Sequence, residues 1–282
     1  MKVFNTIQNI KNFVDKHKNN NKTVGFIPTM GALHQGHLSL IDKSIADTDV
    51  TIASIFVNPT QFNNPDDLKN YPRNIDVDLK LLEKQGCHAV FIPSEQEMYP
   101  EKDTRIFDFD GLDLLMEGEH RPGHFNGVAQ IVSKLFDVVN PHKAFFGQKD
   151  FQQVAIIRKM VEKLNYNIDI VACNIIREPD GLAMSSRNLL LTPEHRRVAP
   201  IIYKTLLHSN KIFNTFTSVE ELKDFVYSQI NNTGLLNVEY FEIVDEKTLQ
   251  PVKELKKRQK IVGSIAVWAG KVRLIDNIIY NY

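Results

Sequence analysis

Two histidines with a glycine between them occupy the stretch PTMGALHQGH, residues 28–37. His34 and His37 are three residues apart, a spacing that puts two side chains on one side of a helix. Their ring N–H groups can donate hydrogen bonds to phosphoryl oxygens, and Gly36 lets a phosphate approach the backbone. A helix N-terminus adds unpaired N–H groups and a partial positive charge. The stretch therefore indicates a phosphate-binding site.

The histidine pair also has less specific interpretations. As an isolated motif, HxGH fits two ordinary, partly exposed histidines. A metal site is less favoured, because neither a third ligand nor HExxH spacing is present. The context favours phosphate: the apolar run TVGFI precedes the stretch, apolar residues at helical spacing follow it, and polar motifs recur after later strand-like runs.

A second candidate motif is FFGQKDFQQ, residues 145–153. Lys149 and Asp150 stand where the next helix is expected to start, with Gln152 and Gln153 in its first turn. A cation is unfavourable at a helix N-terminus unless an anion binds there. Lys149 is therefore predicted to bind phosphate, and a solvated Lys–Asp pair is the alternative.

A third candidate is REPDGLAMSSRN, residues 177–188, which begins with a tight turn at residues 179–181. Ser185, Ser186 and Arg187 supply hydroxyl groups and a guanidinium within one short loop. This combination suits a polyphosphate, which arginine can bind with two parallel hydrogen bonds. Serine-rich turns are common, so this loop indicates a phosphate site only in combination with the other motifs.

Two further polar segments lie between the expected strands and helices. The long stretch 57–74 is rich in amides, and Asn58 and Gln61 in it could hydrogen-bond a hydroxy acid. A plain surface loop is the alternative, although its place after a buried strand counts against that. The stretch 118–127 carries Arg121 and His124 between glycines, and fits a lid, a pocket wall or a simple connection.

The elements that must position these motifs alternate between strand and helix in the first two-thirds of the chain. Such alternation predicts βαβ units and an α/β fold with a mainly parallel sheet covered on both faces. The polar motifs should then line up at the carboxyl edge of the sheet, where ligands bind. The predicted strands are 23–28, 50–57, 88–93, 143–147 and 167–174, and the predicted helices are 37–47, 75–85, 125–139 and 150–164.

The last third of the chain has a different pattern. Thr192 before a proline is a typical helix start, and Ser218 with Glu221 forms a capping box. We therefore expect an α/β domain over residues 1–187 and a smaller α+β domain over residues 188–282. Strand-like runs lie at 238–244, 259–269 and 271–280, the last two joined around Gly270.

Composition restricts the class of protein. The 282 residues are 43% hydrophobic, and 34 basic residues balance 34 acidic ones, so no nucleic-acid-binding surface is expected. Cys87 and Cys173 are far apart, which argues against a zinc site or disulfide framework and fits a reducing compartment. No stretch approaches the ~20 apolar residues of a membrane span. The expectation is a cytoplasmic protein without membrane contact.

Five stretches, in order, resemble the pantothenate synthetase (pantoate–β-alanine ligase) family: PTMGALHQGH, SIFVNPTQF, RPGHF, FFGQKD and DGLAMSSRN. The resemblance covers nearly the whole chain and is densest over 25–188. It implies a Rossmann-like domain that binds ATP and pantoate, a smaller C-terminal domain covering the active site, and a homodimer. The implied reaction joins (R)-pantoate and β-alanine through a pantoyl adenylate, with ATP as a substrate and Mg²⁺ as cofactor, and releases pyrophosphate and AMP.

The resemblance also implies roles for single residues. His37, His34 and Lys149 would be catalytic, and Ile176 would touch adenine through its backbone. The residues expected to bind ATP are Met30, Gly31, Ala32, Leu33, His34, Gln35, Gly36, His37, Gly147, Gln148, Lys149, Asp150, Ile176, Met184, Ser185, Ser186 and Arg187.

For the other substrates and the metal, the resemblance implies fewer positions. Gln61 and Gln153 would bind pantoate, and Gln61 would also lie near β-alanine. The resemblance also makes Asp78 a candidate magnesium ligand, although the acidic run around Asp76 is DVD in this chain, which counts against the assignment.

Three other functions remain open at this point. A nucleotidylyltransferase acting on a phosphate ester would share HxGH but would not need the amide-rich SIFVNPTQF stretch. An RNA-binding relative of the class I aminoacyl-tRNA synthetases would carry a lysine-rich KMSKS loop, whereas AMSSRN lacks those lysines and the balanced charge offers no tRNA surface. A catalytically inert nucleotide-binding protein is the third.

Overall fold

The computed structural model describes residues 1–255 and 260–281, which form two compact units. The first unit contains Met1–Asp113, Glu117–Gln148 and Gln153–Asn174. The second contains Leu114–Met116, Lys149–Gln152 and the described residues from Ile175 onward. A domain boundary between residues 187 and 188 stays a prediction.

The first unit is built on a six-stranded sheet in which every pairing is parallel, with the order β1-β4-β3-β2-β5-β6. All six residues of the third strand are buried, as expected for a parallel sheet covered on both faces. This confirms the predicted Rossmann-like α/β class. The strands are β1 (Lys2–Phe4), β2 (Val24–Thr29), β3 (Val50–Ile55), β4 (Ala89–Phe91), β5 (Lys143–Gly147) and β6 (Asp169–Cys173).

Helices connect these strands, and short 3-10 turns at Pro59–Gln61 and Gln148–Asp150 follow β3 and β5. The helices are α1 (Ile7–Lys18), α2 (Gln35–Asp47), α3 (Pro65–Asn70), α4 (Ile75–Lys84), α5 (Glu95–Met98), α6 (Glu117–His120), α7 (His124–Val139) and α8 (Phe151–Lys163).

Two neighbouring residues of β2 show that helices cover both faces of the sheet. The ring of Phe26 lies 6.5 Å from the ring of Phe136 in α7. A Cβ on Gly25 would overlap the hydroxyl of Ser44 in α2. Adjacent strand residues point to opposite faces, so α7 and α2 pack on opposite sides. Glycine at position 25 allows α2 to approach the sheet this closely.

The second unit combines helices with an antiparallel three-stranded sheet of order β7-β8-β9. The helix starts predicted at Thr192 and Ser218 are confirmed, because each hydroxyl accepts a backbone N–H three residues on. Gly270 turns the chain between the last two strands with a φ of +61°. The elements are α9 (Pro193–Val198), α10 (Ile201–Lys211), α11 (Val219–Asn231), β7 (Leu236–Asp245), β8 (Lys260–Ala269) and β9 (Val272–Asn281).

The structure contains elements that the sequence patterns do not predict. The N-terminal stretch forms β1 and α1, although no strand or helix is predicted before residue 23. The 57–74 stretch, for which no helix is predicted, contains α3. The predicted strand start at Gln259 lies outside the described residues. Among the described residues, no helix has the length and apolar character needed to cross a membrane.

Candidate active site

A tightly held turn carries the MGAL segment between β2 and α2. Gly31 and Ala32 both have positive φ, +81° and +50°, which is uncommon for alanine. The N–H groups of Ala32 and Leu33 donate to the two carboxylate oxygens of Asp78, at 2.9 and 2.8 Å. Asp78 is only 2% exposed, so its carboxylate holds this turn from inside the protein.

This geometry bears on the magnesium role expected of Asp78. Both of its oxygens accept backbone N–H groups, and burial raises the pKa of its carboxyl, with the Leu33 and Ala32 hydrogen bonds opposing the rise. The described residues contain no group of three or more His, Cys, Asp or Glu side chains placed to hold a metal ion. The geometry of Asp78 favours an anchoring role over metal ligation.

The two histidines form a cap at the start of α2. His34 is the N-cap residue, and its Nδ1 accepts the N–H of Gly36 at 3.1 Å. The Nδ1 of His37 accepts the N–H of His34 at 3.3 Å, and the ring centroids are 4.1 Å apart. Because each Nδ1 accepts, the neutral rings carry their proton on Nε2. The cap thus supplies two adjacent Nε2–H donors at a helix N-terminus.

Gln61 ends the 3-10 turn after β3. Its side-chain Nε2 lies 3.3 Å from the Sδ of Met30, so a predicted pantoate ligand and a predicted ATP-binding residue meet in the first unit. Its backbone carbonyl accepts Nδ1–H of His124 at 2.8 Å. His124 is 5% exposed, and this hydrogen bond makes it a support for the Gln61 turn. That role differs from the lid, pocket wall and simple connection considered for the 118–127 segment.

The same turn rests on the backbone of α7 at Gly127. A Cβ there would overlap the carbonyl of Thr60 and lie 2.8 Å from the backbone nitrogen of Gln61. We expect Gly127→Ala to lower stability by ~1–3 kcal/mol, the usual cost of overpacking, because backbone atoms cannot move aside cheaply. Thermal unfolding checks this. Gly147→Ala is the stability control, since a Cβ there would meet nothing within 4 Å; equal melting temperatures for the two variants would contradict the prediction.

Lys149 lies in the second unit, where strand β9 holds its backbone. Its carbonyl accepts from Nδ2 of Asn277 at 3.0 Å, and its Nζ is 3.3 Å from the Asp150 carboxylate. Asn277 is 3% exposed, and its own N–H donates to Asp276 at 2.8 Å. Sequence reasoning missed this support. The signal was present, since Asp276 and Asn277 interrupt the otherwise apolar run LIDNIIY.

The third motif forms a hairpin in the second unit. The carbonyl of Ile176 accepts the Met184 N–H at 3.0 Å, and Gly181, with a φ of +99°, closes the turn predicted there. Beyond the hairpin, the hydroxyl of Ser185 accepts the N–H of Arg187 at 3.3 Å and so starts the 3-10 helix Ser186–Leu190.

A buried ion pair supports the hairpin. The guanidinium of Arg177 donates to both oxygens of Asp276, at 2.6 and 3.0 Å, and lies 3.5 Å from the centroid of the Tyr203 ring. Burial raises the pKa of Asp276 above its ordinary value, while Arg177 opposes the rise. Asp276 therefore links the hairpin to Asn277, the residue of β9 that binds the Lys149 carbonyl.

The predicted site residues fall into two groups by unit. Those of the first unit are Met30, Gly31, Ala32, Leu33, His34, Gln35, Gly36, His37, Gln61, Asp78, Gly147, Gln148 and Gln153, and those of the second are Lys149, Asp150, Ile176, Met184, Ser185, Ser186 and Arg187.

Comparison with known proteins identifies the family. Residues 2–279 match the family model described as pantoate-beta-alanine ligase. The chain belongs to the pantoate-beta-alanine ligase family. The pantothenate synthetase of Porphyromonas gingivalis is 52% identical over 281 residues, covering 100% of both chains. That of Bacteroides fragilis is 53% identical, over 100% of this chain and 99% of its own.

Solved structures agree with the family at the level of the fold. The pantothenate synthetase of Thermus thermophilus superposes with a TM-score of 0.92 at 36% identity, over 100% of both chains. A pantoate-beta-alanine ligase from Francisella tularensis, complexed with beta-gamma ATP and beta-alanine, superposes with a TM-score of 0.83 at 35% identity, over 99% of this chain and 98% of its own. Both units of the ligase fold are thus represented in this chain.

Proposed function

We propose that this chain is an ATP-dependent ligase that joins (R)-pantoate and β-alanine to make pantothenate, through a pantoyl adenylate. The observation that carries the proposal is the histidine cap of α2 in the same unit as the Gln61 amide, which lies against Met30. Full-length identity of 52% to a pantothenate synthetase supports it. So does the relative crystallised with an ATP and β-alanine.

In the first step, a carboxylate oxygen of pantoate attacks the α-phosphorus of ATP, and the bond to pyrophosphate breaks. A carboxylate is already ionised at neutral pH, so the step needs no general base. It needs the reactants held in line and the charge on the phosphoryl oxygens stabilised. In this proposal the Nε2–H groups of His34 and His37 donate hydrogen bonds to the phosphoryl oxygens. Gln61 and Gln153 bind pantoate.

Further cationic and hydroxyl groups would bind the ATP phosphates. Lys149 provides an ammonium on a backbone held by Asn277, and Arg187 follows the Ser185 cap. Arginine suits two-point binding of phosphate, whereas lysine acts as a compact charge. The backbone of Ile176 is assigned to the adenine. The other positions assigned to ATP are Met30, Gly31, Ala32, Leu33, Gln35, Gly36, Gly147, Gln148, Asp150, Met184 and Ser186.

In the second step, the free amine of β-alanine attacks the carbonyl carbon of the pantoyl adenylate. The new C–N bond forms, the amine loses a proton and AMP leaves. No side-chain nucleophile is required. Both cysteines are buried, and burial raises the pKa of the Cys87 thiol to about 11, so that thiol is unsuited to such a role.

Three further assignments belong to this proposal. Mg²⁺ would enter as a partner of the ATP phosphate oxygens, which are ligands it prefers and whose charge it would neutralise; the described residues do not form a metal cage of their own. The homodimer rests on the family resemblance, and light scattering tests it. A cytoplasmic location fits the two free cysteines.

The first test is exchange of labelled pyrophosphate into ATP, with Mg²⁺ and without β-alanine. We expect exchange only when pantoate is present, because adenylate formation is then the sole reversible route between ATP and pyrophosphate. Lack of exchange in a folded protein that binds ATP would overturn the proposal and favour nucleotidyl transfer to a different acceptor.

A further inference from the structure

The amide of Asn58 makes a hydrogen bond at each of its four available positions. It is only 1% exposed, at the end of β3. Its Nδ2 lies 3.0 Å from the carbonyl of Gly127 and 3.0 Å from Oε1 of Gln61. Its Oδ1 lies 2.7 Å from the hydroxyl of Tyr99 and 3.2 Å from that of Thr60. Two donors and two acceptor positions are the full capacity of an asparagine side chain.

The direction of each bond follows from the carbonyl of Gly127. A carbonyl only accepts, so the nitrogen of the Asn58 amide must face it. The oxygen then faces the two hydroxyls, which must donate. The second N–H of Asn58 points to Gln61, so the atom that meets it must be the oxygen of the Gln61 amide. Gln61 therefore directs its NH₂ group the other way, toward the weakly accepting sulfur of Met30.

We propose that Tyr99 is a positioning residue for pantoate, because its hydroxyl orients the Asn58 amide and, through it, the amide of Gln61. This rests on the proposed function, in which Gln61 binds pantoate. Gln61 then offers N–H donors, and only an oxygen that accepts, such as a carboxylate or hydroxyl oxygen, satisfies them. A substrate with an ammonium or amide N–H at that point would face another donor and be rejected.

The surroundings of Tyr99 suit this role. The residue directly follows α5, and its ring lies 6.2 Å from Phe56 and 5.3 Å from the Nζ of Lys134. These contacts restrict the ring. Burial raises the pKa of the Tyr99 phenol, so the hydroxyl keeps its proton and remains a donor over the neutral and mildly alkaline range. Tyr99 is a positioning residue because its hydroxyl acts through Asn58.

The test measures steady-state kinetics of Tyr99→Phe, Thr60→Val and the double variant. Loss of one hydrogen bond predicts that Tyr99→Phe raises the KM for pantoate about threefold to tenfold and leaves the KM for ATP unchanged. The double variant should lose more than the product of the single effects, because in each single variant the remaining hydroxyl still partly holds Oδ1 of Asn58. Tyr166→Phe is the control, since its hydroxyl donates to Asp137 at 2.6 Å in the same unit.

The outcomes separate this inference from the proposed function. The wild-type protein is tested first. Pyrophosphate exchange that depends on pantoate would establish the proposed function, and a lack of exchange would overturn it. With exchange established, an unchanged pantoate KM in the double variant overturns the role of Tyr99. A rise in both KM values, matched by Tyr166→Phe, would also overturn it, because general loosening of the unit would then explain the change. A selective rise in pantoate KM supports the inference.

Discussion

Replacing His37 with alanine is expected to slow pantoyl-adenylate formation by ~10²–10³-fold, the usual cost of removing one preorganised donor to a developing negative charge. The Nε2–H of His37 is fixed by its Nδ1, which accepts the N–H of His34. The donor therefore needs no reorganisation when charge builds up on the phosphoryl oxygens. Pyrophosphate exchange at saturating ATP and pantoate measures the effect.

His37→Asn separates the two roles of the ring. The asparagine side chain can place a polar atom near the former Nδ1 and keep the helix cap, but it does not reach the position of Nε2. We expect it to retain the thermal stability of the wild type and to lose as much exchange as His37→Ala. His17→Ala, in α1 against Phe13, should leave exchange unchanged. Near-normal exchange in both His37 variants would refute the assignment.

The sequence was sufficient for the class of fold because its periodicity reflects burial. Runs such as TVGFI and VTIASI are mostly apolar and lack a regular alternation with charged residues, as strands covered on both faces must, and amphipathic stretches between them predict the covering helices. It was less reliable at helix starts. The predicted helix began at His37, whereas α2 begins at Gln35, because an imidazole caps it in place of a hydroxyl or carboxylate.

Long-range partners account for what the sequence did not reveal. Ala32 keeps a positive φ while Asp78, 46 residues away, holds its N–H. Asn277 binds the carbonyl of Lys149 from 128 residues away. Residue types alone mark such polar groups as unusual, but only the fold shows which donor meets which acceptor. The motifs located the candidate site, while the structure identifies the residues that hold it in place.

Removing Arg177 is expected to give the largest stability loss among these predictions. Its guanidinium is the partner of the Asp276 carboxylate, whose side chain is 4% exposed. Arg177→Met would leave that charge buried and unpaired, which costs ~3–5 kcal/mol at neutral pH. Since Asp276 also accepts the N–H of Asn277, we expect loosening to reach the Lys149 backbone. Urea unfolding monitored by circular dichroism measures the stability loss.

The pH dependence of that loss tests its cause. Burial already raises the pKa of Asp276, and without Arg177 the rise is larger. A carboxyl with a raised folded pKa favours the folded state below its unfolded pKa of ~3.9, and that contribution is lost as pH rises through the folded pKa. The deficit of Arg177→Met should therefore be small near pH 4 and grow toward pH 8.

A double variant provides the matched control. Arg177→Met with Asp276→Asn removes the buried charge and keeps an oxygen that can accept the Asn277 N–H, so it should recover stability and lose the extra pH dependence. A deficit that is the same at pH 4 and pH 8, or that persists in the double variant, would mean that Arg177 acts through packing on Tyr203 or through its hydrogen bond to the carbonyl of Gly181. In that case the ion pair would contribute little to holding the hairpin.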